Sequence, residues 1–249
     1  MLLDATPLDI AALAWFLIVW LGYGWFASHV PGRPIGLNHH MIALRRMWME
    51  RMLDRDNRIV DTQLIGHTIH SVTFFASTTM LVLAGLIGAF EATDVLYKAA
   101  ARLSFMVQTS EAFFAAKQLL LMALFVHSFF KFTWSLRQFN YLLAMIGSAP
   151  QAPVPPPRRV RAARAIAGML TQAVGSFTAG LRGYYFAFAA LAWFVQPWFF
   201  IVATTGMLAV LINRQLRSSS FHAIRRHTHH LSVDAAPAPT DIESRSKLV

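Results

Sequence analysis

The sequence predicts an all-α, polytopic membrane protein with four main transmembrane helices and amphipathic interfacial helices, and three observations lead to this fold class. The chain has 249 residues, of which 56% are hydrophobic and only 14% charged, whereas about 25% are charged in typical soluble domains. Its apolar residues form runs as long as the roughly 20 residues that cross a bilayer as a helix. The net charge is +10, and the basic residues lie between those runs, where the positive-inside rule and anionic lipid headgroups account for them without nucleic acid.

The first predicted span covers residues 10–28, which carry no formal charge. Its later end holds three aromatic residues that fit the aromatic belt of a membrane interface: Trp20, Tyr23 and Trp25. Because residues 1–9 contain no Lys or Arg, we expect this run to remain as an anchor and not to be removed as a signal peptide. Residues 41–60 place apolar side chains on one helical face and charges on the rest, which predicts an amphipathic helix at the membrane surface.

The second and third predicted spans cover residues 64–90 and 112–130. The second contains 27 residues without Lys, Arg, Asp or Glu. The third holds one internal charge, Lys117, which we expect to extend its ammonium group toward the interface. A linker is predicted at residues 149–157, because this stretch contains five of the 11 prolines and proline-rich chain forms extended spacers.

The fourth predicted span covers residues 184–213, an uncharged stretch interrupted by Gln196 and Pro197. Residues 165–181 are also uncharged, but seven of them are Gly, Ser, Thr or Gln, which is polar for a span that faces lipid. Whether they cross stays open at this point. A single crossing in this last region leaves the tail opposite the basic segments. A crossing at 165–181, or a fold-back at Gln196 and Pro197, returns it to their side.

Residues 1–231 are thus predicted to form one helical membrane domain, followed by a disordered tail at 232–249. Lys and Arg together number none in residues 1–9, six in 29–63 and seven in 131–182. Because basic segments are retained in the cytoplasm, we expect a multi-pass protein whose N-terminus lies outside the cytoplasm.

Four blocks of the sequence resemble the signature blocks of a known family: RRMWMERMLDRDNRIVDTQLIGH, FFASTTMLVLAGL, FFKFTWSLRQFNY and GLRGYYFAFA, in this order. That family of membrane proteins carries only a domain-of-unknown-function label and is found in bacteria, with plant members. The resemblance covers roughly residues 9–218. It implies a polytopic helical membrane protein of about four spans, and it supplies no activity and no assigned site. We expect the protein to be located in the bacterial inner membrane.

Three histidines are candidate metal ligands: His67, His70 and His127. His67 and His70 share one helical face near the start of the second span, and His127 lies near the end of the third. If these spans are antiparallel neighbours, the three imidazoles reach a similar depth and could bind a metal, ligate a haem or relay protons. The alternative is that each is an interfacial side chain hydrogen-bonded to a neighbouring helix.

A polar path through the membrane is a second candidate site, formed by hydroxyl and helix-breaking residues: Ser77, Thr78, Thr79, Gln196 and Pro197. Proline at 197 cannot donate a hydrogen bond to the carbonyl of Trp193, and broken helices of this type form sites in transporters. The alternative is that the hydroxyls bond back to the carbonyl four residues earlier and that the proline is an ordinary kink.

A helix-packing face is predicted on the second span from the spacing of its small residues: Ala84, Gly85 and Gly88. Ala84 and Gly88 form a small-xxx-small pair, which lets two helices approach closely. We therefore expect this face to contact another helix.

Function is only weakly specified by the sequence. It contains no cysteine and no phosphate-binding loop, dinucleotide fingerprint, HExxH or nucleophile elbow, so no enzyme class and no cofactor is predicted. The leading hypothesis is a membrane protein that acts by assembly, as an oligomer or as a subunit of a larger complex, with the bilayer and anionic lipid headgroups as partners. The alternatives are a small transporter or channel and, more weakly, a haem- or metal-binding redox subunit.

Overall fold

A computed structural model describes residues 5–29, 37–102, 109–151, 153, 155–216 and 219–234. Within these residues the chain forms eight α-helices and no strand. In chain order the helices are α1 (Pro7–His29), α2 (Leu37–Leu53), α3 (Ile59–Glu91), α4 (Thr93–Ala101), α5 (Glu111–Gly147), α6 (Pro156–Leu191), α7 (Pro197–Leu216) and α8 (Ser219–Asp234), with a 3₁₀ turn at Ala192–Phe194 between α6 and α7.

Four of these helices, α1, α3, α5 and α7, are long and apolar enough to cross a membrane. This confirms the predicted all-α fold with four main transmembrane helices. Their outward sides are apolar, with side chains such as Ile18, Leu81 and Val202 more than half exposed. Such an exposed apolar surface is expected where lipid is the solvent.

The centre of the fold is an antiparallel pair formed by α5 and α6. Ser135 donates a hydrogen bond to the carbonyl of Ala173 (2.7 Å), and Lys117 donates one to the carbonyl of Trp193 (3.0 Å). Because Ser135 follows Lys117 in α5 whereas its partner Ala173 precedes Trp193, the two helices run in opposite directions. With 36 residues, α6 is about 54 Å long.

The other long helices surround this pair in fixed directions. Gln118 donates to the carbonyl of Ala89 (3.1 Å) and Arg58 to that of Ala149 (3.3 Å), so α3 runs antiparallel to α5. Helices α1 and α7 are parallel, because Trp15 bonds to Thr205 and Tyr23 to Gln215.

These directions define two ends of the bundle. One, called here the basic end, holds the ends of α1, α5 and α7 and the starts of α3 and α6. The other, called the break end, holds the 3₁₀ turn, the starts of α1, α5 and α7 and the end of α3. Helices α2 and α8 lie at the basic end, where Thr228 and His40 are hydrogen-bonded (3.1 Å).

The predicted fourth span, 184–213, is not one helix. Its first part belongs to α6, and the chain folds back through the 3₁₀ turn into α7, which begins at Pro197. Proline fits the first position of a helix because its missing N–H has no partner there. The fold-back is the arrangement that returns the tail to the basic end. Residues 165–181 lie inside α6, beside the basic-end half of α5.

The predicted linker and tail are described only in part. Helix α5 ends at Gly147 and α6 begins at Pro156, so the prolines of 149–157 lie between the two helices and in the first turn of the second. Residues 152 and 154 lie outside the described residues. In the predicted tail, α8 continues to Asp234, and residues 235–249 lie outside the described part of the chain.

Candidate functional site

The three predicted histidine ligands are not brought together. His67 and His70 are exposed on α3, whereas His127 is half-buried on α5 against Trp20, with ring centroids 5.3 Å apart. His127 lies between Gln118 and Phe132, whose α3 partners are Ala89 and Phe75, so it is level with a later part of α3 than the two other histidines. The reason is that α5 continues to Gly147, which places His127 in mid-helix and not at a helix end. No group of three metal-ligating side chains occurs among the described residues.

The predicted polar path is not formed by its hydroxyl residues. Ser77 is exposed, Thr78 is half-buried and Thr79 is fully buried. The Thr79 hydroxyl donates to the carbonyl of Phe75 and shares a hydrogen bond of 2.8 Å with the hydroxyl of Tyr184. Thr79 thus bonds back to its own helix and joins α3 to α6, which is the second of the two interpretations considered for it.

The helix break at Gln196 and Pro197 is stabilised by a cluster of buried charged side chains. The carbonyl of Trp193 cannot receive an N–H from Pro197, and it accepts one from the ammonium of Lys117 (3.0 Å). Lys117 is only 4% exposed and lies over the rings of Phe113 and Trp193, 4.8 and 5.4 Å from their centroids. Lys117 is therefore buried inside the bundle, where the break supplies its acceptor.

Asp9 completes this cluster from α1. Its Oδ1 accepts a hydrogen bond from the indole N–H of Trp193 (2.8 Å), and its Oδ2 accepts from the backbone N–H and hydroxyl of Thr6 (3.1 and 2.6 Å). Thr6 in turn accepts from the backbone N–H of Asp9 (3.2 Å), a reciprocal cap of the first turn of α1. The Asp9–Trp193–Lys117 cluster therefore ties α1, α5 and the helix break together at the break end.

The predicted packing face has no partner within the described part of the chain. Ala84, Gly85 and Gly88 are exposed on α3, and a Cβ added at either glycine would meet nothing within 4 Å. Contact with a helix of another molecule stays a prediction.

A cavity of chemical interest lies at the basic end. It has a volume of about 910 Å³ and lies between α1, α2, α5, α6 and α7. We call it the basic cavity, because four of its lining side chains are cations: Arg45, Lys131, Arg182 and Arg214. His127 and several aromatic side chains complete its polar and apolar walls, including Trp20, Tyr23, Trp25 and Tyr185.

The cations of the basic cavity are positioned by neutral partners. Arg214 donates to the hydroxyl of Tyr185 (3.0 Å) and lies over its ring. Arg182 lies over the ring of Tyr23, 6.0 Å from its centroid, and the Tyr23 hydroxyl donates to Gln215 (3.1 Å). These contacts orient the guanidinium groups without neutralising them.

Helix α2 brings Arg45 to the cavity from the basic end. The first half of α2 lines the cavity, and its second half is fixed to α3 by Trp48, whose indole N–H donates to the buried carboxylate of Asp61 (2.6 Å). Arg55 pairs with the same carboxylate. Burial lowers the pKa of the Arg45 guanidinium below its usual range, so this cation is partly removed from water.

Among the described residues, the charged side chains that line the cavity are all cations. No carboxylate in the described ranges lines the cavity, and none forms an ion pair with its four cations. Charges held near apolar surroundings without a counterion are costly. The cavity is therefore suited to an anion, which would offset the mutual repulsion of these side chains.

Sequence patterns did not predict this site, although they contained a signal for three of its cations. Lys131, Arg182 and Arg214 each stand directly at the end of an uncharged run. Their convergence depends on the fold-back of α7 and on the pairing of α5 with α6.

A helical, multi-pass membrane protein with an unneutralised basic cavity at one end is the class defined by these helices and this site. Residues 11–220 match the family described as "Protein of unknown function, DUF599". This match spans most of the 249 residues, and the chain belongs to that family. Comparison with curated proteins and with solved structures finds no match.

Proposed function

We propose that this protein binds an organic anion in the basic cavity, at the cytoplasmic boundary of the membrane. The observation that carries the proposal is the convergence of four cations from four helices on one cavity that has no lining carboxylate among the described residues. The volume of about 910 Å³ is that of a site for an organic ligand, since such sites measure roughly 300–1,000 Å³.

This proposal gives the transporter hypothesis a specific binding step. The cavity lies in the basic-end half, whereas the buried Asp9–Trp193–Lys117 cluster lies between the helices at the break end. Access from one side is the arrangement expected of a carrier in one of its two states.

Thermal unfolding of the purified full chain in a neutral detergent tests the proposal. Phenyl phosphate and dodecyl phosphate are the probes, with phenol and dodecanol as their uncharged counterparts. A ligand that binds only the folded state raises the unfolding midpoint, so we expect the phosphates to raise it and their counterparts to leave it unchanged.

Two variants assign this effect to the cavity. Arg182→Gln removes a cavity cation and should abolish most of the phosphate-dependent shift. Arg161→Gln removes an exposed cation from the same helix and should leave the shift intact. Equal shifts in both variants, or no shift with either phosphate in the wild type, would contradict anion binding in the cavity.

Assembly is a second candidate function, favoured by the exposed face of Ala84, Gly85 and Gly88. A helix of another molecule could approach closely there, because no side chain of the described residues occupies the space beside the glycines. Gly88→Leu should reduce the oligomer size measured by light scattering in mild detergent. Gly206→Leu, at a glycine of α7 with equally open surroundings, is the control and should not.

A further inference from the structure

We propose that the occupant of the basic cavity is the phosphate-bearing headgroup of an anionic membrane lipid, with its acyl chains directed out past α1. This inference rests on the proposed function and names the chemical class of its ligand. It follows from the height of the cavity in the membrane, from the side on which its wall is exposed and from the chemistry of its cations.

The ends of two spans indicate the depth of the cavity in the membrane. The uncharged run of α1 ends three residues after Trp25, and that of α7 ends directly before Arg214. Both residues line the cavity. The end of an apolar span marks the boundary between hydrocarbon and headgroups, so the cavity lies where lipid phosphates lie.

The wall of the cavity on α1 is continuous with the outer surface of the bundle. Leu21 and Trp25 line the cavity and are also 60% and 63% exposed. They belong to α1, whose outer surface is apolar. A ligand with an apolar tail can therefore place its charge among the cations while its tail stays against α1, in the hydrocarbon.

The cations suit a phosphate group. Three of the four are arginines, whose planar guanidinium groups donate paired hydrogen bonds to phosphate oxygens. Tyr185 and Tyr23 hold two of them through ring contacts. The cavity is far larger than an inorganic phosphate ion requires, and it has room for the glycerol and polar substituent of a headgroup.

Lipid retention by the intact protein tests this inference. The full chain is reconstituted in nanodiscs of phosphatidylcholine or of phosphatidylcholine with phosphatidylglycerol, released in the mass spectrometer, and scored for bound lipid. We expect phosphatidylglycerol to be retained in preference to phosphatidylcholine. Loss of one charge-assisted contact should weaken this retention about tenfold in Arg182→Gln.

Three variants separate loss of the site from loss of the fold. Arg182→Lys keeps the charge and should recover part of the retention, Lys131→Gln should reduce it independently, and Arg161→Gln should leave it unchanged. Each variant is first compared with the wild type by circular dichroism and gel filtration.

The outcomes distinguish the two proposals. Preferential retention of phosphatidylglycerol that depends on Arg182 and Lys131 supports the lipid. If both lipids are retained equally while phenyl phosphate still stabilises the wild type through Arg182, the lipid inference fails and anion binding stands. If neither lipid nor soluble phosphate responds to these variants, both proposals fail.

Discussion

The ammonium group of Lys117 is held in the apolar part of the bundle by an acceptor that the fold itself creates. Pro197 begins α7 and cannot donate to the carbonyl of Trp193, so that oxygen needs another donor. Lys117 supplies it at 3.0 Å, and the indole N–H of Trp193 is bound to Asp9. A charged side chain at membrane depth normally has such partners, and here they join three segments far apart in the sequence.

Replacement of Lys117 by methionine should therefore destabilise the protein. The apolar stem is retained, but the buried carbonyl of Trp193 loses its donor, at a cost of about 1–3 kcal/mol in the free energy of unfolding. Unfolding by sodium dodecyl sulfate in mixed micelles, followed by circular dichroism, measures this change. Lys98→Met removes a lysine that is 70% exposed and should change the free energy by less than about 0.5 kcal/mol. Equal stability of Lys117→Met and wild type would show that desolvation of the ammonium cancels its hydrogen bond.

At the scale of elements, the close approach of α5 and α6 depends on two glycines of α6. A Cβ at Gly183 would clash with the hydroxyl oxygen of Ser128, and one at Gly180 would clash with the ring of Phe132. The helices can therefore be this close only because both side chains are absent. Small residues serve this purpose at helix interfaces in membranes.

Gly183→Ala should lower the free energy of unfolding by about 1–3 kcal/mol, because the added methyl group overpacks the interface. Gly168→Ala, on the same helix, should act in the opposite direction. Its added Cβ meets nothing within 4 Å, and alanine is favoured over glycine inside a helix by roughly 0.5–1 kcal/mol. The same unfolding measurement compares them, and two effects of the same sign would contradict this account of the interface.

The helices differ in how far their sequences predict them. Helices α1, α3, α5 and α7 were recognisable as spans because hydropathy depends only on local composition. Helix α6 was not, because its buried face is made of small residues such as Gly180, Gly183 and Ala187 and its first turns carry four arginines. Its apolar partner is α5 and not lipid, so it does not need the hydropathy of a lipid-facing span.

The candidate sites, like the helices, could be predicted from the sequence only in part. Lys117 and the cavity cations are visible in the sequence as charges within or beside uncharged runs, but their partners are not. Lys117 bonds to a residue 76 positions away, and Tyr23 to one 192 positions away. The predicted packing face on α3 followed a local spacing rule, and that rule did not identify the glycines of α6 that pack most closely.

At the scale of the whole molecule, five helices of the described residues run between the basic end and the break end: α1, α3, α5, α6 and α7. If all five cross the membrane, this odd number places the start of α1 and helix α8 on opposite sides. The five-helix path also brings α2, the first turns of α6 and α8 to one end, and these segments carry three, four and two Lys or Arg residues. The positive-inside rule predicts that this end faces the cytoplasm, and a five-crossing path would remove the conflict that a four-crossing path leaves at the basic tail.

Cysteine accessibility in intact cells tests this topology, and the absence of native cysteine makes each introduced thiol unique. Suitable sites are Asp56 before α3, Asp94 in α4 and Ala223 in α8, all of which are exposed. Asp94 lies at the break end, so its cysteine variant should react with a membrane-impermeant maleimide. The variants at Asp56 and Ala223 lie at the basic end and should react only after the membrane is permeabilised. Reaction at Ala223 with protection at Asp56 would mean that α6 or α7 does not cross. Reaction at both with protection at Asp94 would reverse the orientation and leave the five-helix path intact.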